Sequence, residues 1–191
     1  MGHKTIFDLK EDLSMNIYRI ENYMYHECIS ECKDKQKIEE LRNKTKSRDI
    51  EVLSELARKG TVFEYHYFDA WWREIIKLEV FKNNTAVIEY DNLETTIDIK
   101  PELIEGIYSI AKRYCDEYRS GDHWLEDPCV YDGYMYMIRL SDGNDYYLCN
   151  TDNIQDYDET TPNGYRFVLM LKEIFALLKQ AGIEHDKFRF Q

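Results

Sequence analysis

From His3 to Lys59 the chain contains neither glycine nor proline, and no other feature limits its fold as much. Over so long a polar and charged stretch, nothing in the backbone interrupts a helix. Leu13, Ile17, Ile20, Met24 and Cys28 recur at spacings of three and four, the stripe of an amphipathic helix, and Ile38 with Leu41 continues it more weakly. Ser47 is placed to cap a further segment with the stripe Ile50, Leu53, Leu56 and Ala57, which Gly60 ends in a left-handed conformation. The first sixty residues therefore read as two or three helices.

At Thr61 the apolar period changes to two. Val62 to Tyr67, Trp72 to Phe81 and Thr85 to Asp91 read as strands, with Thr95 to Ile99 as a short β-branched continuation. Asn83 and Asn84 mark a turn. A two-residue loop there would set Leu78 opposite Glu89, whereas an odd loop pairs Val80 with Ile88 and Leu78 with Tyr90, so the odd loop is expected. Lys100-Pro101-Glu102 opens a helix with the apolar face Leu103, Ile104, Ile107, Ile110, Ala111 and Tyr114. Tyr134 to Leu140 and Asp145 to Asn150, joined by Ser-Asp-Gly-Asn at 141 to 144, form a hairpin pattern. The last helix runs from about Tyr165 to Gln180 and ends at Gly182; Phe167, Val168, Met170, Leu171, Ile174, Phe175, Leu177 and Leu178 cover too wide an arc for a surface helix, so it belongs at the centre of the core.

This order has no βαβ alternation and no internal repeat. It predicts an α+β fold: an antiparallel sheet of about five to six strands with helices packed mainly on one face, preceded by an N-terminal helical segment over residues 1–60, with 61–191 as an acidic α+β domain. At 191 residues, roughly 70% of the unfolded surface can be buried. Sixteen tyrosines and a hydrophobic content of 43% argue against global disorder. No stretch approaches a membrane span, because Lys172 and Glu173 interrupt even Phe167 to Leu178. The first residues lack an apolar leader, and Ile6 stands where a myristoylation motif needs Ser or Thr. Five cysteines without paired spacing suit a reducing compartment, so a cytoplasmic location is expected.

Charge is unevenly placed. Residues 1–60 hold twelve basic and twelve acidic side chains, so the whole formal charge of -12 falls on 61–191. Cys115 to Glu159 alone holds twelve acids against Arg119 and Arg139. Such a surface repels phosphate backbones and attracts basic proteins, so direct nucleic-acid binding is not expected. The same acids also serve plain solubility.

Catalytic and cofactor motifs are sparse. The eight glycines form no phosphate loop, and His-Glu-x-x-His, Cys-x-x-Cys and Gly-x-Ser-x-Gly do not occur. Asp98-x-Lys100 after Glu89 and Asp91 has the order used by metal-dependent nucleases, yet Asp8-x-Lys10 and Glu31-x-Lys33 repeat that spacing in helical segments. His26, Cys28 and Cys32 make an incomplete zinc set. The aspartates at 142, 145, 152, 156 and 158 miss the EF-hand spacing. His66, His123 and His185 stand isolated, each without a nucleophile in reach of the sequence pattern. No cofactor, metal ligand or catalytic residue is assigned.

Two features go beyond solubility. Trp71 and Trp72 are adjacent, so in a strand they point to opposite faces, and Trp71 falls outward with Arg73, Lys77 and Phe81. Tyrosines, Tyr146 among them, interleave with the acidic stretch and supply contact area at low entropic cost. Asp142, Asp145, Asp152, Asp156, Asp158, Tyr146 and Trp71 are therefore the candidate partner-binding residues. The expected role is an acidic inhibitor that blocks a basic partner, such as a nuclease or nucleic-acid-binding effector, of the immunity or anti-defence kind. A metal-dependent enzyme using clustered carboxylates, or a regulatory subunit, is the alternative.

Overall fold

A computed structural model describes residues 35–69, 74–115, 135–152 and 162–185. Two compact units divide the chain, Met1–Val52 and Leu53–Gln191. The stripe from Leu13 to Cys28, the incomplete zinc set and both Trp71 and Trp72 lie outside the described residues.

Helix α1 runs unbroken over Lys35–Lys59. The expected break at Ser47 is absent because its hydroxyl donates back to the Asn43 carbonyl at 2.9 Å, the bond a mid-helix serine makes in place of a cap. Ile50 is exposed, so of the expected stripe only Leu56 is buried and Leu53 half-buried. Gly60 does end the helix, at φ +72°, with its N–H bonded to the Ala57 carbonyl.

Six strands follow in one antiparallel sheet: β1 (Thr61–Phe68), β2 (Glu74–Phe81), β3 (Thr85–Tyr90), β4 (Leu93–Asp98), β5 (Met135–Ser141) and β6 (Tyr146–Asp152). Their spatial order is β4-β3-β2-β1-β5-β6. Helices α2 (Pro101–Tyr114) and α3 (Pro162–Gln180) complete the described elements. The architecture is α+β, as the sequence pattern predicts.

The β2–β3 loop is odd, with three residues, but its pairs are set two residues from the expected ones: Val80 faces Ala86 and Leu78 faces Ile88. Asn84 takes φ +63°, which lets the shorter loop close. The period-two face is preserved because an even shift leaves it unchanged. A second correction concerns Asp91 and Asn92. Both adopt left-handed backbone, φ +53° and +59°, and form a two-residue turn of the type that matches strand twist. Tyr90 therefore pairs with Leu93, and the segment read as a continuation is a full antiparallel strand.

Pairing puts Phe63, Tyr65, Ile76, Leu78, Val80, Ala86, Ile88, Ile138, Leu140, Tyr147 and Cys149 on one face, all buried. Onto that face pack α2, through Leu103, Ile104, Ile107 and Ile110, and α3, through Phe167, Met170, Leu171, Ile174 and Leu178. Tyr65 meets Phe175 edge-on, with ring centres 5.1 Å apart. Each such large side chain removed from water contributes about 1.5–3 kcal/mol. Between the helices, Glu173 accepts both Arg113 guanidinium nitrogens, at 3.3 and 2.7 Å, and the Tyr114 hydroxyl at 2.6 Å. Helix α3 ends at Gly182, φ +81°, where the Ile183 N–H reaches the Leu178 carbonyl and the Gly182 N–H that of Lys179, a Schellman closure. No described helix is long and apolar enough to cross a membrane.

Candidate functional site

The β5–β6 hairpin holds four of the expected binding residues, Asp142, Asp145, Tyr146 and Asp152, and uses them differently. Asp142 is buried. Its Oδ1 accepts the N–H groups of Asn144 and Asp145 at 2.8 and 2.7 Å, and its Oδ2 accepts the Tyr147 hydroxyl at 3.0 Å. Burial alone would raise its pKa. The two backbone donors, the tyrosine and the charge of Lys112 outweigh that and hold the carboxyl below its usual range. Asp142 thus shapes the turn, aided by Gly143 at φ +97°. Asp145 is exposed beside it, and Tyr146 is half-exposed with Lys82 Nζ 5.9 Å from its ring centre. Tyr108 packs near Gly143, and its hydroxyl pKa is raised by burial, with Tyr146 and Glu105 adding and Lys82 opposing. Asp152 closes β6 opposite Met135, while Asp156, Asp158 and Trp71 fall outside the described residues.

The acid, acid-x-Lys order does not converge. Asp98 pairs with Thr85, four residues along β3 from Glu89, a separation of roughly 13 Å at strand rise. Among the described residues, no three His, Cys, Asp or Glu side chains gather to hold a metal ion.

On the sheet face away from α2 and α3, the strands assemble a charge cluster that the sequence pattern does not announce. Glu64 of β1 sits opposite Arg139 of β5 and Glu79 of β2, and His66 sits opposite Lys77 and Met137. Arg139 donates through Nη1 to Glu64 Oε2 at 2.7 Å and through Nη2 to Met137 Sδ at 3.3 Å. His66 Nε2 lies 2.9 Å from Glu64 Oε1. Lys77 pairs with Glu79 at 2.7 Å. The side chains of Glu64, His66 and Arg139 are only 1–2% exposed. Burial would push the Glu64 carboxyl up; positive charge at His66 and Arg139, with Lys77 behind them, reverses this and holds it far below the ordinary carboxylate range.

The third group lies at the sheet edge. Among the described strands β4 has one neighbour, β3, and Leu93 to Thr96 and Asp98 are all exposed, Leu93 at 71%. From Glu89 to Glu105 the chain carries six acids, Glu89, Asp91, Glu94, Asp98, Glu102 and Glu105, against Lys100 alone. All but the half-buried Glu89 are exposed. The chain matches no family model, no curated protein and no solved structure. Function must therefore be read from the chemistry of the side chains themselves.

That chemistry separates the acids by use. Glu64 and Asp142 are spent inside the fold, where their oxygens neutralise a guanidinium or close a turn. The Glu64 side chain is 1% exposed. Glu94 and Asp98 face solvent beside an unpaired strand edge. The sequence pattern draws the partner-binding expectation to residues 115–159 and offers Glu89, Asp91 and Asp98 only as a metal-nuclease order, because the acids of 89–105 are spread through a strand pattern. The run of six acids against one lysine was the signal available.

Proposed function

We propose that this chain is an acidic protein-binding inhibitor whose surface occupies a basic partner, such as a nuclease or nucleic-acid-binding effector, in the manner of immunity or anti-defence proteins. The supporting observation is the run of exposed acids Asp91, Glu94 and Asp98 along the edge strand, continued by Glu102 and Glu105 of α2, within a chain of formal charge -12. A basic groove that binds a phosphate backbone presents the charge this rim complements, so occupancy by the rim excludes nucleic acid by competition. The reading places the protein in the cytoplasm, where its described cysteines, Cys115 and Cys149, remain free thiols. The test is retention of basic proteins from a lysate by the immobilised chain at about 0.1 M and about 0.5 M salt, followed by a nucleic-acid-binding assay of what is retained. A partner held at low salt, shed at high salt and unable to bind nucleic acid while complexed is the expected result. Retention of no basic protein at low salt overturns the reading.

A further inference from the structure

Strand β4 is an edge of the sheet with a defined pattern of backbone groups. The Ile99 N–H donates to the Asn84 carbonyl at 2.9 Å, and opposite residues in an antiparallel pair alternate between bonded and non-bonded. The bonded pairs are therefore Ala86–Ile97, Ile88–Thr95 and Tyr90–Leu93, the last being the pair that a two-residue turn closes. Glu94, Thr96 and Asp98 stand in the non-bonded pairs, so their N–H and C=O groups turn away from β3. Three donors and three acceptors in a row are paired by no described strand, and the three residues that carry them are exposed.

We propose that β4 takes an extended basic segment of a partner protein as a seventh strand. This rests on the inhibitor reading above and names how the partner is held. Backbone pairing to Glu94, Thr96 and Asp98 supplies the attachment, and the side chains supply the choice. Glu94 and Asp98 lie four residues apart on one face of the edge, so the incoming strand carries Lys or Arg at two positions with the same spacing. Leu93, Thr95 and Ile97 lie on the other face, the one shared with Ile88 and Ala86, and Leu93 is largely bare. The intervening positions of the partner are therefore apolar or β-branched.

A second copy of this chain is a poor occupant. Two β4 strands paired antiparallel about Thr96 would set Glu94 against Asp98 twice, acid facing acid, which is destabilising across a sheet. The two acids that admit a basic strand thus also prevent edge-to-edge self-association.

The probe is an end-blocked Val-Lys-Val-Thr-Val-Lys-Val peptide, titrated against the full chain at about 0.1 M salt, beside the same peptide N-methylated at the two lysines and the threonine. Expected is saturable binding of the first, at least tenfold weaker binding of the second, and at least tenfold weaker binding of the first by Thr96→Pro. Proline at 96 removes a solvent-facing N–H and leaves the β3 pairing intact, so this variant keeps its fold. Glu94→Gln with Asp98→Asn leaves the backbone untouched and should weaken binding and flatten its salt dependence. Equal binding of both peptides, or by Thr96→Pro, shows charge attraction without strand pairing; it overturns the strand inference and leaves the basic-partner reading standing. Absence of peptide binding also overturns the strand inference, while retention of basic proteins judges the broader reading separately. A dimer abolished by Thr96→Pro makes a second copy the occupant and overturns it as well.

Discussion

Replacing Arg139 with methionine should be among the most damaging single changes in the described residues. The guanidinium is 1% exposed and 2.7 Å from Glu64 Oε2. At that distance, with an effective dielectric near 20, the attraction is about 6 kcal/mol. Stripping water from both groups cancels much of it, so the intact pair adds little beyond what an apolar pair would. One-sided removal is different, because Glu64 keeps its desolvation cost while losing the guanidinium that pairs with its Oε2, with His66 and the more distant Lys77 left to offset it. The expected loss is about 3–5 kcal/mol. Adding Glu64→Gln to Arg139→Met removes the stranded charge and should recover at least half of that loss. Urea unfolding at pH 7, followed by circular dichroism for the wild type, both single variants and the double, reads these differences with an unchanged denaturant slope. A loss under about 1 kcal/mol for Arg139→Met refutes the reasoning, and so does a double variant no more stable than it.

The same pair sets a pH dependence. The folded pKa of Glu64 is held down, so its contribution to stability is present above the unfolded value, about 4.3, and fades as pH falls below it. Glu64→Gln should therefore flatten the acid limb of the stability curve. A variant whose stability falls with acid as steeply as the wild type contradicts the assignment.

Three further outcomes are expected. Asp142→Ala removes the carboxylate that accepts two backbone N–H groups and the Tyr147 hydroxyl, and should cost about 2–3 kcal/mol in the same unfolding assay, with the loss shrinking as pH falls through the depressed Asp142 pKa. Thr95→Pro removes a ladder bond to Ile88 and should destabilise by about 1–3 kcal/mol, whereas Thr96→Pro should change stability by less than about 0.5 kcal/mol; equal effects would show the register derived for β4 to be wrong. Gly182→Ala meets no atom within 4 Å of the added carbon but must hold φ +81°, so it should cost about 1 kcal/mol from backbone strain alone.

How far the fold was legible follows from the range of the interactions that set each part. Gly60, Pro101 and Gly182 mark helix ends through their own backbone preferences, and the period-two face of β2 survives any even shift in pairing. These are local properties, present in a few consecutive residues. Ser47 misled because a serine that caps one helix can equally bond back within another, and only the path of the preceding chain decides. Asp91 and Asn92 carry a left-handed turn without the glycine that usually announces it. The Glu64–Arg139 pair joins residues 75 apart in sequence through β1 and β5, and no spacing rule brings them together.

The candidate binding residues divide for the same reason. Net charge is a property of composition, but whether a carboxylate meets a partner depends on what already claims its oxygens. Asp142 carries the same formal charge as Asp98, yet two N–H groups and a hydroxyl hold it inside the hairpin. Asp98 stands exposed at the open end of β4, beside backbone groups that no described strand pairs. An acid of the first kind fixes geometry, and its loss is read in stability. An acid of the second kind leaves stability nearly unchanged, and its loss is read in association rate and salt dependence. The contrast between Asp142→Ala and Asp98→Asn in those two assays therefore tests the division of labour independently of the partner's identity.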